Sequence, residues 1–218
     1  MKAMILAAGR GERLRPLTDS TPKPLLKIGD KSLIEYHLEK LAQAGIKEVI
    51  INTAWLGEQI QQTLGSGEKY GLTIQYSDEG EQALETAGGI IKALPLLGDE
   101  PFLIINGDIF TDYDFRQLKT LKIKIEAHLV MVENPDHNHK GDFVLNHGYL
   151  ENSGDSLYTY SGIGIYTKQF FEGYPEGVRA LAPILKKKIA EHKVSGELYK
   201  NAWTDVGTIE RLQQLNKQ

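Results

Sequence analysis

Apolar and polar positions alternate along the first half of the chain in a way that predicts strands and helices in turn. Short apolar runs predict buried strands at 2–8, 47–52, 72–76 and 101–106. Helices are predicted between them at 32–44, 56–64 and 86–94. In the first helix Leu33, Leu38 and Leu41 recur at helical spacing, and Gly45 follows the last turn. This alternation predicts βαβ units and a sheet with helices on both faces.

The second half of the chain has a less regular pattern. Strands are predicted at 127–132 and 158–166, a hairpin at 143–145 and 149–151, and a polar loop at 134–142. A helix is predicted at 180–192, and a turn at 203–208 ends at Thr208, which can cap a last helix at 209–217. No linker or repeat interrupts the pattern. We therefore predict a single α/β domain over 1–218, a Rossmann-like fold with a mixed, mostly parallel central sheet flanked by helices.

A glycine-rich and basic loop follows the first predicted strand. Gly9-x-Gly11 lets backbone N–H groups approach a phosphate, because glycine has no Cβ. Four cationic side chains follow over a short distance: Arg10, Arg13, Arg15 and Lys23. The loop lacks the third glycine of dinucleotide-binding loops and the Gly-Lys-Ser/Thr of the Walker loop. We interpret it as a distinct binding loop for a nucleoside triphosphate, against the alternative of a basic surface turn.

Two aspartates are candidate metal ligands. Asp108 follows a strongly apolar strand and the tight turn at Gly107, so it lies with the glycine-rich loop at the carboxyl edge of the predicted sheet. Asp205 lies in a late Trp-x-Asp-x-Gly-Thr segment. Carboxylates combined with substrate phosphate and water suit Mg²⁺. Each aspartate alone also fits a helix cap or a turn.

Composition narrows the class of protein further. The 218 residues carry a formal net charge of −4 and no cysteine. This charge argues against a nucleic-acid-binding protein, and the absence of cysteine excludes disulfides and thiol chemistry. The apolar run at 3–8 is too short for a signal peptide, and no apolar segment is long enough to span a bilayer. We therefore expect a cytoplasmic protein without a membrane partner.

Three segments together resemble the sugar-1-phosphate nucleotidylyltransferase family: residues 4–26, Asn106-Gly107-Asp108, and Trp203-x-Asp205-x-Gly207-Thr208. The resemblance implies that a nucleoside triphosphate and a sugar 1-phosphate react, with Mg²⁺, to give a nucleotide sugar and pyrophosphate. Further segments look like the short bacterial uridylyltransferases that use UTP and N-acetylmuramate 1-phosphate in peptidoglycan recycling: 33–38, 52–57, 84–90, 92–99, 112–115 and 194–197. The chain lacks the Glu-Lys-Pro segment of many longer relatives.

The resemblance also implies roles for individual residues. Arg13 would hold the β- and γ-phosphates, Lys23 the α-phosphate and the sugar phosphate, and Asp108 and Asp205 the Mg²⁺. Residues 1–110 would mainly bind the nucleotide and 111–218 mainly the sugar phosphate. Backbone groups are expected to contact the nucleotide at Ala8, Gly9 and Gly11. Candidates for reading uracil and ribose are Glu79, Glu85, Thr86 and Gly88. Candidates for the sugar pocket are Asn106, Gly141, Asp142 and Gly162.

Some of these assignments have plain structural alternatives. Glu85 and Thr86 also suit a helix start, and the sugar-pocket glycines also suit a turn and a bulge. His137 and His139, with Asp136, form either a transition-metal site or a solvated loop, and we favour the loop.

Two other functions remain open from the sequence. One is a guanylyl-, uridylyl- or thymidylyltransferase acting on mannose, heptose or glucose 1-phosphate. The other is a non-catalytic nucleotide-binding regulator, which we would expect to have lost at least one of Arg13, Lys23, Asp108 and Asp205; all four are present. The oligomeric state is not predicted.

Overall fold

A nine-stranded mixed sheet forms the centre of the computed structural model, which describes residues 1–80, 83–122 and 124–217. Its strands are β1 (Ala3–Leu6), β4 (Glu48–Thr53), β5 (Thr73–Asp78), β6 (Phe102–Asn106), β8 (Ala127–Val132), β9 (Phe143–Asn146), β10 (Tyr149–Glu151), β11 (Leu157–Tyr166) and β12 (Val194–Tyr199). The two remaining pairs are small: β2 (Lys27–Ile28) with β3 (Lys31–Ser32), and β7 (Ile109–Thr111) with β13 (Trp203–Asp205).

The helices are α1 (Leu17–Ser20), α2 (Leu33–Gln43), α3 (Gly57–Leu64), α4 (Glu85–Leu97), α5 (Arg116–Thr120), α6 (Leu181–Ala190) and α7 (Ile209–Leu215). Short 3₁₀ turns occur at Glu12–Leu14, Lys23–Leu25, Glu68–Tyr70 and Lys168–Phe171. Apolar side chains of α2, α3 and α5 pack on one face of the sheet, and those of α4 and α6 pack on the other. Because Ala3 and Ile5 face one layer and Met4 the other, β1 is buried on both sides.

The order of the strands places a topological switch point beside β1. The sheet runs β5-β4-β1-β6-β11-β8-β12-β10-β9. Strands β5, β4, β1 and β6 are parallel, and the chain crosses to opposite sides of β1 to form β4 and β6. In open α/β sheets ligands bind beyond the carboxyl ends of strands at such a point. The carboxyl ends of β1 and β6 are therefore where a site is expected.

Beyond β6 the sheet becomes largely antiparallel. Strand β11 pairs antiparallel with β6, β8 and β9, and only β8 and β12 are parallel in this half. A bulge between Tyr160 and Ile163 shifts the register of β11 against β8. The predicted α/β class and mixed sheet are confirmed, with parallel pairing concentrated in the first half of the chain.

A third apolar cluster joins the two ends of the chain. Leu14 and Leu26, on either side of α1, pack with Val206 and with Leu212 of α7. Burying these side chains holds the loop after β1 against the segment that follows β13. Parts of the chain nearly two hundred residues apart thereby meet at the carboxyl edge of the sheet.

Several element predictions needed correction. Residues 203–205, predicted as part of a turn, form β13, because they pair with the equally short β7. Strand β12 was not predicted. Helix α4 continues to Leu97 although it contains Pro95, which lies in its last turn. The sequence predicts an acidic loop at 78–85, and its residues 81–82 lie outside the described residues.

Candidate active site

The loop after β1 is built around two glycines. Gly11 has a φ of 71°, and a Cβ there would lie 2.9 Å from Cγ2 of Thr18, so the turn requires glycine. The hydroxyl of Thr18 donates to the carbonyl of Gly11 at 2.9 Å. A Cβ on Gly9 would meet no atom within 4 Å. The backbone at Gly9 therefore borders open space in which a ligand can approach closely.

Lys23 and Asp108 form an ion pair at this edge. Lys23 Nζ lies 2.5 Å from Asp108 Oδ2, and the lysine is 9% exposed. The turn between β6 and β7 brings Asp108 there, since the N–H of Gly107 donates to the carbonyl of Leu6 at 2.9 Å. A Cβ on Gly107 would lie 2.6 Å from that same oxygen, so only glycine permits the approach. Two residues 85 positions apart thus become neighbours.

Asp205 reaches the same place through the short β7–β13 pair. Asp205 lies opposite Ile109 in that pair, and the N–H of Val206 donates to the carbonyl of Asp108 at 2.7 Å. A nitrogen of the Arg211 guanidinium donates to Asp205 Oδ1. His137 Nε2 lies 3.1 Å from the same oxygen. The two aspartates predicted to bind metal are therefore adjacent, and a cation contacts each.

The donor set suits Mg²⁺. In the described ranges no three His, Cys, Asp or Glu side chains cluster as a self-sufficient metal site. Asp108 and Asp205 each use one oxygen for a protein cation. Mg²⁺ beside nucleotides is commonly bound by one or two carboxylates, and phosphate oxygens and water fill the rest of its coordination shell. These residues fit the ion that the resemblance implies.

An open cleft of about 240 Å³ lies over the ends of β1 and β6. Most of the predicted site residues line it: Ala8, Gly9, Gly11, Lys23, Glu79, Glu85, Thr86, Asn106 and Asp108. A smaller neighbouring cavity is lined by Gly11, Arg13, Lys23 and Gly207, among others. Lys23 borders both cavities and so stands where they meet.

A buried polar network shapes the far end of the cleft. Glu79 accepts hydrogen bonds from Asn52 Nδ2 and from the N–H of Leu84, both at 2.7 Å. Asn52 Oδ1 accepts the N–H of Ala7 at 2.8 Å. Asn52, which sequence reasoning missed, thus ties the end of β1 to Glu79. Its position at the end of an apolar strand was the available signal.

Glu85 has an unusual backbone for its residue type. Its φ is 58°, in the left-handed region that disfavours side chains other than glycine and asparagine. It begins α4 and lines the cleft. Strained residues of this kind occur preferentially at functional sites. The backbone supports Glu85 as a candidate for ligand contact without identifying the ligand.

The remaining candidates do not line the cleft. Gly88 packs against the carbonyl of Gly177. Asp142 accepts from Asn138 and from the N–H of Tyr160, and Gly141 precedes it in the same loop. Gly162 lies at the bulge of β11, where a Cβ would be 2.6 Å from Cγ of Asn106. The assignment of these residues to substrate contacts stays a prediction.

Arg13 and Lys23 border the cavity beside the cleft, and Arg10 lines a further cavity together with Trp55. Arg10 lies over the ring of Trp55, 4.4 Å from its centroid, and pairs with Glu12 at 3.0 Å. Arg15 pairs with Asp19 at 2.7 Å. Arg13 and Lys23 are therefore the basic side chains of the loop that lie next to the cleft, whereas Arg15 is engaged by a local carboxylate, and the binding of phosphate by Arg13 and Lys23 stays a prediction.

The 134–142 loop does more than face solvent. His137 contacts both Asp205 and Arg211, with its Nδ1 3.0 Å from the guanidinium nitrogen. Asn134 anchors the loop by donating to the carbonyl of Leu157 at 2.8 Å. The sequence analysis favoured a solvated loop here and did not predict these contacts. It also did not single out Arg211. No local pattern links either residue to Asp205.

Behind Asp108 lies a neutral imidazole. His37 of α2 is 1% exposed, and burial lowers its pKa to about 4. The nearby Asp108 carboxylate and the backbone at Ile109 oppose this shift without reversing it. At neutral pH the imidazole therefore adds no charge beneath the ion pair.

A glycine-rich loop at a switch point, two adjacent carboxylates and a lysine between two cavities define a nucleotide-transferring enzyme. The chain belongs to the nucleotidyl transferase family, whose model matches residues 2–143. This confirms the family predicted from the sequence. No helix in the described ranges is both long and apolar enough to cross a membrane.

Two relatives are similar over nearly the whole chain. One, an N-acetylmuramate alpha-1-phosphate uridylyltransferase of Neisseria meningitidis serogroup B, is 52% identical over 98% of this chain and 96% of its own length. The other, with the same name, from Caulobacter vibrioides, is 31% identical over 94% and 91%. A Bacillus anthracis structure described as a glucose-1-phosphate thymidylyltransferase aligns with a TM-score of 0.88 at 26% identity, over 100% of this chain and 94% of that one.

Proposed function

We propose that this protein transfers the uridylyl group of UTP to N-acetylmuramate 1-phosphate and releases pyrophosphate. The observation that carries the proposal is the junction at Lys23, where the nucleotide cleft, the Arg13 cavity and the Asp108 carboxylate meet. The substrates are inferred from the 52% identical relative that bears this activity in its name. A role in peptidoglycan recycling in the cytoplasm belongs to the same proposal.

In the proposed reaction an oxygen of the sugar phosphate attacks the α-phosphorus of UTP in line. The new P–O bond forms as the bond from the α-phosphorus to the bridging oxygen of the β-phosphate breaks, and that oxygen leaves with pyrophosphate. No general base is required, because the phosphate nucleophile is already an anion at neutral pH. The chain's task is to bring two polyanions together and to neutralise their charge.

The charged residues would divide this task. Lys23 would neutralise the α-phosphate and the incoming phosphate, since it borders both cavities. Arg13 would hold the β- and γ-phosphates and the leaving pyrophosphate. Asp108 and Asp205 would hold Mg²⁺, which when bound offsets charge on the phosphate oxygens.

The walls of the cleft would select the nucleotide and the sugar. Backbone groups from Ala8 to Gly11 would contact the nucleotide, and Glu79 and Glu85 are candidates for the base and ribose. Because both oxygens of Glu79 already accept protein hydrogen bonds, we expect it to shape the base pocket more than to bind freely. Asn106 lines the cleft and lies next to Gly162 of the proposed sugar half, so it is a candidate for contacting the sugar.

The decisive experiment measures pyrophosphate release with Mg²⁺ over a grid of UTP, GTP, dTTP and ATP against a panel of sugar 1-phosphates. Release confined to UTP with N-acetylmuramate 1-phosphate is the expected result. Release with GTP and mannose 1-phosphate would keep the chemistry and overturn the substrates. If no substrate combination releases pyrophosphate, a non-catalytic nucleotide-binding protein is favoured. A Lys23→Ala preparation, purified in parallel, controls for contaminating activity.

A further inference from the structure

Three charged groups converge beside Gly207, and one of them, Arg211, has no role assigned above. A Cβ placed on Gly207 would lie 2.5 Å from an Nη of Arg211, 2.8 Å from Asp205 Oδ2 and 3.0 Å from an Nη of Arg13. The two guanidinium groups are therefore neighbours, and one carboxylate lies between them. Arg211 comes from α7 and Arg13 from the loop after β1.

The charges in this cluster do not balance. Asp205 pairs with Arg211, and both side chains are largely buried. Within residues 1–80, 83–122 and 124–217, no carboxylate oxygen lies within ion-pair distance of Arg13. The carboxylate of Glu12 nearby is occupied by Arg10 and Arg15. Since like charges held together repel, a surplus cation fixed at this place favours an anionic ligand.

The adjoining cavity limits the size of that anion. It measures about 190 Å³ and is lined by Gly11, Glu12, Arg13, Leu14, Lys23 and Gly207. The Arg211 guanidinium adjoins the cavity at Gly207 without forming part of this lining. The volume is below that of the usual pockets that enclose drug-sized ligands, and the cavity connects at Gly11 and Lys23 with the larger cleft. A diphosphate fits this description better than a nucleoside. Arginine forks match phosphate oxygens in pairs.

We propose that Arg211 is a second phosphate-binding arginine, which with Arg13 binds the terminal diphosphate of the nucleotide substrate and the pyrophosphate product. His137 contacts both partners of the Arg211–Asp205 pair, with its Nδ1 3.0 Å from the guanidinium, and helps to hold Arg211 in position. The inference rests on the proposed function, because it assigns the released group a place in the same site. It gives the leaving group two arginines where the sequence assigned one.

The test is direct binding of sodium pyrophosphate by isothermal titration calorimetry, with and without Mg²⁺. The variants are Arg211→Ala and Arg211→Gln, the second of which keeps a hydrogen-bond donor for Asp205 but removes the charge. Arg116→Ala is the matched control, because it removes an exposed arginine that is paired with Asp114 and does not line the cavity. Melting temperatures and the KM values for UTP and the sugar 1-phosphate complete the comparison.

We expect both Arg211 variants to bind pyrophosphate at least tenfold more weakly, with a raised KM for UTP and an unchanged KM for the sugar phosphate. The Arg116 variant should behave as wild type. Pyrophosphate binding at wild-type strength in Arg211→Gln would overturn the inference. So would a change confined to the Mg²⁺ requirement, which would show that Arg211 acts only through Asp205. If Arg211→Ala fails to fold, Arg211→Gln decides.

The calorimetric result stands apart from the proposed function. If the wild-type protein binds pyrophosphate but releases none with any substrate combination, the proposed reaction is refuted. The role of the two arginines is then decided by the binding measurements on the Arg211 variants. An active wild type with Arg211 variants that bind pyrophosphate normally would refute only the inference. A wild type that binds no pyrophosphate under either condition would also refute the inference.

Discussion

The two carboxylates of the site are held in opposite electrostatic settings. Asp108 pairs with one nearly buried lysine at 2.5 Å, so that end of the site is balanced. Asp205 lies between Arg211 and Arg13, with His137 alongside, so that end carries a surplus of positive charge. The balanced end is assembled from the carboxyl ends of parallel strands. The positive end is assembled from a loop, a short antiparallel pair and the last helix.

The difference separates two tasks that a nucleotidyltransferase must perform. A surplus of cations attracts and binds a polyphosphate. When the ligand is absent, the cations repel one another and this repulsion destabilises the protein. A balanced pair is cheaper to keep buried, and it can rearrange when a phosphate arrives to share the lysine. We infer that the positive end binds the leaving group and that the balanced end meets the reacting phosphates.

The largest effect is expected for Lys23→Ala at the balanced end. Removing the cation that borders both cavities should lower turnover by about 10³-fold or more, because charge stabilisation is the main catalytic term here. The fold should persist, since Asp108 is partly exposed and can be hydrated. Pyrophosphate release and circular dichroism measure the two effects. Lys27→Ala, in the exposed part of β2, is the control; near-wild-type turnover in Lys23→Ala would remove the site assignment.

Replacing each carboxylate by its amide tests whether the two ends share one metal ion. Asp108→Asn and Asp205→Asn should each lower turnover by about 10²-fold and raise the Mg²⁺ concentration for half-maximal activity. Without metal, Asp205→Asn should also tighten pyrophosphate binding, because the surplus of positive charge grows. The readouts are Mg²⁺ titrations of activity and calorimetry. An unchanged Mg²⁺ curve in either variant would exclude that aspartate as a ligand.

The buried imidazole behind Asp108 predicts an acid-sensitive fold. His37 has a pKa of about 4 in the folded protein and about 6.5 when unfolded. Between these values the unfolded chain binds more protons, so stability is complete above about pH 6.5 and is lost as the pH falls toward 4. We expect a loss of about 2 kcal/mol between pH 7 and pH 5 from this group.

Urea unfolding at the two pH values measures that loss. A His37→Leu variant removes the titrating group, and the change in its unfolding free energy between pH 7 and 5 should be smaller by this amount. The comparison uses the pH dependence, so a general destabilisation by the substitution does not confuse it. Lys40 and Asp108, which also face His37, are retained in both proteins. Equal pH dependence in the two proteins would contradict the prediction.

The smallest effect is expected for Gly207→Ala at the positive end. The added methyl would press on the tips of two flexible arginines and on Asp205, so it should displace the guanidinium groups at little cost in stability. We expect kcat/KM to fall by about tenfold and the melting temperature to stay within a few degrees. Gly9→Ala is a useful contrast, since its methyl meets no protein atom and should affect only nucleotide binding. Unchanged kinetics in Gly207→Ala would separate this cluster from catalysis.

Much of the balanced end was predictable from local sequence. The glycine-rich loop, Lys23 and Asp108 follow from an apolar strand that leads into glycines and from a second strand that ends in Asn-Gly-Asp. Parallel strands place such ends on one edge of a sheet, so pattern and topology together give the neighbourhood. The hydrogen bond between Asn52 and Glu79 could not be predicted, because the sequence does not show which residue a polar side chain at the end of a strand will contact.

The sequence by itself determined the family, the α/β class, the nucleotide loop and the pair of aspartates, because each depends on residues that are close together in the chain or on a compact motif. Only the tertiary structure decided which cations lie beside the two aspartates. Arg10 and Arg15 were lost to nearby aromatic and acidic partners, whereas Arg211 and His137 were gained from distant segments. The physical reason is that charge balance is a property of a place in space. Here that place exists because Leu14, Leu26, Val206 and Leu212 bury one another and draw both ends of the chain together.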